Sequence, residues 1–263
     1  MKKRPFPSIW AIAIVGLGFH ACAPMPVERM PAPIRFENPS HLISCILEQD
    51  RCIKNFISSG RIKIKHRGVV PEVKLLIVAG KDPFRIKGEV THPWGQPILH
   101  FLVRENNFQV LDFAEKKVYT GRLGGSSFPA LFPMNLEADQ LWTLMRGFPS
   151  LVHPHHRFSQ TGDQILVTDK GGNPILAIFY HPTAFLPLRI QFPGQKGEIR
   201  FSGFSKENHA AYAASVDFRD PRSGTLLSYR IDKMVPNPSI SDRIFMLDIP
   251  DHYERILLPD VTP

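Results

Sequence analysis

From Arg61 onward the apolar residues recur at every second position, and this period constrains the fold more than any other feature of the chain. Ile62 and Ile64 alternate with Arg61, Lys63 and Lys65; Phe84, Ile86, Gly88 and Val90 alternate with Arg85, Lys87 and Glu89. Successive strand side chains point to opposite faces, so the pattern predicts half-buried strands with one wet face. Further strands are predicted at 72–79, 97–104, 107–113 and 116–121, with tight turns at Asn106-Asn107 and Glu115-Lys116. Strands resume near 156–160, 163–168, 174–180, 185–192, 196–204, 212–218, 225–234 and 243–248. The 25 prolines among 263 residues suit turns and strand ends better than helix interiors.

Two stretches break the pattern. Asn38-Pro39 supplies an N-cap and a proline at the first helical position. Leu42, Ile46, Gln49, Ile53 and Phe56 then recur at spacings of three and four, which predicts a helix ending near Ser59-Gly60. After an irregular Gly/Ser/Phe/Pro stretch at 122–134, Asn135 is the expected cap of a second helix. Its apolar stripe is Leu141, Leu144, Met145 and Phe148 with Trp142 beside it, and Gly147 and Pro149 end it. The sum is one mainly β (α+β) domain of about a dozen antiparallel strands and two main helices. Several strands are apolar on both faces, Leu99-Phe101-Val103 against Ile98-Leu102 for example. An antiparallel sheet normally hides only one face, so a curved sheet covered inside by helices, with room for a cavity, is expected.

The N-terminus carries a separate signal. Lys2, Lys3 and Arg4 precede an apolar run from Ile9 to Phe19, which is too short to span a bilayer and has the form of a secretory leader, residues 1–21. It closes on Phe19-His20-Ala21-Cys22, which resembles a bacterial lipobox and implies lipidation at Cys22. The proline-rich segment 22–37 then reads as an extended tether, and 38–263 as the folded domain. Loss of Lys2, Lys3 and Arg4 lowers the formal charge of +8 to about +5, with no run of five or six like charges. With no nucleic-acid motif, this excess is read as solvated strand faces, and no nucleic-acid partner is expected.

Three cysteines leave an odd number unless Cys22 is acylated. Cys45 and Cys52 are seven residues apart in the predicted helix, a rise of about 10.5 Å, whereas a disulfide wants Cα atoms about 4.4–6.8 Å apart. Either both are free thiols, the favoured reading, or the helix breaks between them.

Four stretches, in order, resemble the LolA/LolB family of bacterial lipoprotein carriers, most of all its LolB receptors. They are Ser59-Gly60-Arg61-Ile62-Lys63-Ile64; Arg85-Ile86-Lys87 with Thr91-His92-Pro93-Trp94-Gly95 and Ile98-Leu99-His100-Phe101; Asn107 to Asp112 with Tyr119-Thr120-Gly121; and Pro133 to Leu136 with Leu141-Trp142 and Arg146-Gly147-Phe148-Pro149. The match covers roughly residues 55–150, and the C-terminal part departs from it. The resemblance implies a single unclosed antiparallel β-barrel with helices covering its concave face. It implies an outer-membrane, periplasm-facing, lipid-anchored protein of a Gram-negative bacterium, expected as a monomer. Acyl chains of lipoproteins would be the ligand, a LolA-like periplasmic carrier the donor, and outer-membrane lipids the acceptor. Pro93, Trp94 and Gly95 stand where LolB carries a Pro-Leu-Gly turn with a protruding leucine. Trp94 is therefore the expected membrane-insertion residue, an indole suiting the interface. Ile86, Leu99, Phe101, Leu111, Leu141, Trp142 and Met145 are the expected acyl-chain contacts, each buried methylene being worth about 0.8 kcal/mol.

No catalytic residues, cofactor or metal are expected. His153, His155 and His156 lie in a proline-containing stretch without a cysteine or carboxylate at ligand spacing. Gly124-Gly125-Ser126-Ser127 lacks the form of a nucleophile elbow. Competing readings are a structural or interaction lipoprotein of an envelope assembly, docking through exposed strand edges, and a carrier of another lipid.

Overall fold

The computed structural model describes residues 39–66, 72–123, 132, 134, 136–151, 156–181, 184, 186–193 and 197–259, all within the compact unit Pro33–Pro263. Cys22, the leader and the tether lie outside the described residues. The first helix, α1, spans Pro39–Arg51. Six strands follow: β1 (Asn55–Lys65), β2 (Val73–Gly80), β3 (Arg85–Thr91), β4 (Pro97–Arg104), β5 (Asn107–Asp112) and β6 (Lys117–Arg122). Helix α2 is Ala138–Arg146. Then come β7 (Arg157–Thr161), β8 (Gln164–Thr168), β9 (Pro174–Tyr180), β10 (Pro187–Phe192), β11 (Gly197–Glu207), β12 (Ala210–Asp220) and β13 (Thr225–Pro236). The last strand is β14 (Glu254–Leu257).

The strands form one 14-stranded sheet, in the order β14-β6-β5-β4-β3-β2-β1-β13-β12-β11-β10-β9-β8-β7. Two meanders are thus joined where β1 pairs with β13. The edges, β14 and β7, are not paired with each other, so the sheet is unclosed, as the resemblance implied. Among the described residues it holds fourteen strands rather than about a dozen. Every pairing is antiparallel except that of β14 with β6, which is parallel.

The first helix stops at Arg51, eight residues before the predicted end. Ile53 and Phe56 continue the helical spacing, but Asn55–Lys65 also alternates, buried on every second residue from Phe56 to Ile62. As a strand this segment gains two partners, β2 and β13, and the tertiary pairing outweighs local helical preference. Cys52 therefore follows the helix; Cys45 and Cys52 are both thiols outside any disulfide, and the Cys52 thiol donates to the Gln49 carbonyl at 3.1 Å.

The second helix is capped by Glu137, which forms a reciprocal capping box with Gln140; Asn135, the expected cap, lies outside the described residues. Gly147 ends it at φ 69°, in the left-handed region. A Cβ there would meet the Ala213 carbonyl at 2.9 Å, and Ala213 N–H donates to the Gly147 carbonyl at 2.8 Å. The helix end is thereby fastened to β12. Residues Gln140–Arg146 are all buried, and Trp142 meets Phe56 edge-on at 5.2 Å.

The expected strand at 243–248 is not formed. Asp242–Ile244 is a single 3-10 turn, and the chain crosses the outer face of the sheet. Phe245 is buried there with Val78 and Leu102, flanked by Ile57, Ile240 and Leu247. The Phe245 carbonyl accepts from the Arg104 guanidinium, and Arg85 stacks on its ring at 4.2 Å. Of the apolar run Ile244-Phe245-Met246 only the Phe245 ring is buried, between exposed neighbours. This strap covers Leu102, on the face of β4 opposite Leu99, Phe101 and Val103, whereas Ile98 lies in the lining of a cavity on the main core side.

Candidate functional site

Pairing of β3, β4 and β5 decides which side chains share a face. Val90 opposes Leu99, Gly88 opposes Phe101 and Ile86 opposes Val103; Phe101 opposes Val110 and Val103 opposes Phe108. These inner-face residues meet Ile62 and Ile64 of β1, Val73 and Leu75 of β2 and Leu227 of β13. With Leu141 and Met145 of α2, and with Ile98, Phe132, Met134 and Leu136, they line a cavity of about 270 Å3. Every lining residue is apolar except His92. The volume lies just below the usual range of ligand pockets, about 300–1,000 Å3.

Beyond β3 the chain turns at His92–Gln96. The His92 carbonyl accepts from Gly95 N–H at 2.8 Å, and His92 N–H donates to the Gln96 carbonyl at 2.8 Å. Proline is favoured at the second position of such a turn, and Gly95 takes φ 95°, a conformation that favours glycine. Trp94 projects outward, 73% exposed. Its indole lies parallel to the His92 ring, centroids 4.4 Å apart and planes 7° apart, and its N–H donates to the Gln96 side chain at 3.4 Å. Since His92 lines the cavity, the exposed indole and the apolar chamber are joined through one stacked pair.

The expected acyl contacts separate into three groups. Leu99, Phe101, Leu141 and Met145 line the cavity. Ile86 and Trp142 belong to the same core, 0% and 1% exposed, but are packed away from the cavity wall; Trp142 lies among Phe56, Phe84 and Lys81. Leu111 is misplaced by the sequence reading. It pairs with His100 and so lies on the face opposite Leu99 and Phe101. It is buried nonetheless, 1% exposed, on the face that the C-terminal strap crosses. Val73, Leu75, Val90, Val110 and Leu227 line the cavity without having been singled out. Their alternation was visible, but the register that aligns them was not.

Two larger clefts, of about 570 and 500 Å3, have mixed walls. The first includes Glu198, Arg200 and Arg219, the second Glu137, Asp139 and His156. Their charged groups suit an apolar chain less well. Among the described residues no group of three His, Cys, Asp or Glu side chains is placed to hold a metal; His153 and His155 lie outside the described residues.

A buried polar cluster lies apart from the cavity lining. Asp50, 0% exposed, accepts from Lys81 Nζ at 2.9 Å and from Leu151 N–H at 3.0 Å. The Arg146 guanidinium is fully buried, donates to the Gln49 carbonyl and lies 4.7 Å from the Phe148 ring centre. Burial draws it below the ordinary arginine value, opposed by the Asp50 charge. The cluster ties the end of α1 to the end of α2.

No protein-family model matches this sequence, and no curated protein does. Solved structures match in fold. A DUF1329 family protein from Desulfovibrio piger is 17% identical at a TM-score of 0.52, over 79% of this chain and 96% of its own. A LolA superfamily protein from Nitrosomonas europaea is 12% identical, also at 0.52, over 78% and 97%. A putative outer membrane lipoprotein-sorting protein domain from Vibrio parahaemolyticus is 12% identical at 0.48, over 78% and 94%. The first two likenesses define the class: this chain has the open β-sheet fold of the LolA superfamily and the DUF1329 protein.

Proposed function

We propose that this protein is a LolB-like carrier-receptor. It takes a lipoprotein acyl chain into the cavity and releases it at a membrane through the Trp94 turn. The observation that carries this reading is the junction of an apolar chamber with a solvent-exposed indole, made by the His92–Trp94 stack. Buried methylenes supply about 0.8 kcal/mol each, so an acyl chain binds without a polar code and one small chamber suffices for a chain end. An exposed tryptophan with its N–H at the wet side partitions to the bilayer interface. Cys22, as a diacylglyceryl attachment point, would hold the domain at the outer membrane, facing a LolA-like periplasmic donor. The role is binding and transfer, without catalysis.

The test is transfer of a labelled lipoprotein from a purified LolA-type carrier to liposomes, comparing wild type with Trp94→Glu. Wild type is expected to accept and deliver, and the variant to accept without delivering. A wild type that takes no cargo would overturn the reading.

A further inference from the structure

We propose that the outer face of the sheet beside the Trp94 turn is a docking surface for anionic phospholipid headgroups, so that delivery favours an acceptor bilayer that carries negative charge. The inference rests on the delivery reading above and names what selects the acceptor membrane. Strand register builds the surface. Ile62, Ile64, Val73, Leu75 and Leu227 turn inward to the cavity, so Arg61, Lys63 and Lys65 of β1, Lys74 of β2 and Arg230 of β13 turn outward. Arg219 of β12 joins them, because it opposes Leu226, which opposes Lys65. All but the half-buried Arg61 are exposed.

The cations outrun the carboxylates on this face. Arg61 stands directly opposite Arg230 on one side and Lys74 on the other, an arrangement that is destabilising within a sheet. Glu72 and Asp232 both bond Arg61, at 3.4 and 3.0 Å. Asp217 accepts from the Ser228 hydroxyl, and Glu198, opposite Arg219, bonds Arg189 and Arg200. Among the described residues Lys63, Lys65, Lys74, Arg219 and Arg230 therefore have no ion-pair partner. Their place ties them to Trp94. Thr91, the last residue of β3, opposes Lys74, and the Trp94 turn follows it. Lys63 and Lys65 lie two and four residues beyond Arg61 towards the same end, about 7 and 14 Å, and β1 is two strands, about 10 Å, from β3. The lysines thus flank the turn, whereas the strap covers the outer face farther back, at Ile57, Val78 and Leu102. A surface spread over four strands fits an extended array of charge better than one small anion. The exposed indole beside it favours a bilayer over an acidic protein.

The test is sedimentation of the exported protein with vesicles of phosphatidylcholine alone or of phosphatidylcholine and phosphatidylglycerol in equal parts. A Cys22→Ser background removes any acyl anchor that would mask the contact. Each cation near an anionic surface is worth about fivefold in partitioning, so Lys63→Gln/Lys65→Gln/Lys74→Gln should bind the mixed vesicles roughly 100-fold less tightly and the phosphatidylcholine vesicles unchanged. Lys54→Gln/Lys206→Gln/Lys233→Gln, an equal loss of charge among exposed lysines at the other end of the strands, should bind as the parent does. A first variant no weaker than the parent, or a second variant equally weak, overturns the docking face. The delivery reading is then judged separately by Trp94→Glu, which should weaken binding to both kinds of vesicle. Tighter binding to oligoglutamate than to vesicles of equal charge makes an acidic protein the partner and overturns the assignment to lipid. A parent protein that binds neither kind of vesicle overturns both readings.

Discussion

Gly88→Ala tests the cavity wall by a single methyl group. Gly88 lies opposite Phe101 across β3 and β4, and the ring rests on the glycine: an added Cβ would stand 2.1 Å from Phe101 Cε1 and 2.2 Å from Cζ. No backbone atom is among these closest contacts, so the ring must swing, and the space beside it is the chamber that Phe101 lines. Overpacking of this kind costs about 1–3 kcal/mol, offset by about 0.4–1 kcal/mol from the loss of glycine's unfolded-state freedom. A net loss of about 1–2 kcal/mol is expected, or roughly 2–8 °C in Tm for a domain of this size. A ring displaced into the chamber excludes about three ligand methylenes, worth about 2.4 kcal/mol, which weakens acyl binding roughly 50-fold. Urea unfolding and parinaric acid titration read the two effects. Gly88→Ala/Phe101→Leu should recover most of both, because the pair are in contact and couple. Wild-type affinity in Gly88→Ala, or a double variant no better than the single, would refute the reasoning.

Three further outcomes follow from the packing. Asp50→Ala should cost about 3–5 kcal/mol in urea unfolding, because it leaves the buried Arg146 and the partly buried Lys81 without their carboxylate; a loss below 1 kcal/mol would deny that role. Phe245→Ala should cost about 3–5 kcal/mol and expose the C-terminal strap to limited proteolysis, whereas unchanged protease resistance would show that the strap is held elsewhere. His100, edge-on to Phe113 at 4.8 Å, is held by burial below its ordinary value of 6.5. The unfolded chain binds this proton more readily, so the His100 contribution is whole above about pH 6.5 and is lost as pH falls towards the lowered folded value. Urea midpoints compared at about pH 7.5 and about pH 5 should therefore fall further for wild type than for His100→Gln, and parallel profiles would contradict this.

The strands were legible because alternation is local. Ile62, Ile64, Ile86 and Val90 declare their face with no knowledge of a partner, and thirteen of the fourteen strands lie close to where the period places them. Contacts between strands were less legible. Leu111 looks like Leu99 in sequence, yet the β4–β5 register turns it to the opposite face, where a strap more than a hundred residues away in sequence hides the sheet. That strap also produced the false strand at 243–248: Ile244-Phe245-Met246-Leu247 is a continuous apolar run, which a buried strand and a strap anchored by one phenylalanine share. The helix end at Arg51 was hidden for a related reason: Phe56 fits both the helical and the strand spacing, and only pairing with β2 and β13 decides between them. The Trp94 turn was readable from Pro93 and Gly95 alone. Its stack on a cavity-lining histidine depends on where β3 ends, which composition does not encode.

The central claim is that the chamber behind Trp94 holds an acyl chain. The most direct measurement is native mass spectrometry of the protein with a triacylated lipopeptide, comparing wild type with Val90→Trp, whose indole would fill the chamber that Val90 lines. The account predicts a one-to-one complex for wild type and its loss in a folded Val90→Trp. A lipopeptide that fails to bind wild type, or that binds both proteins equally, would contradict it.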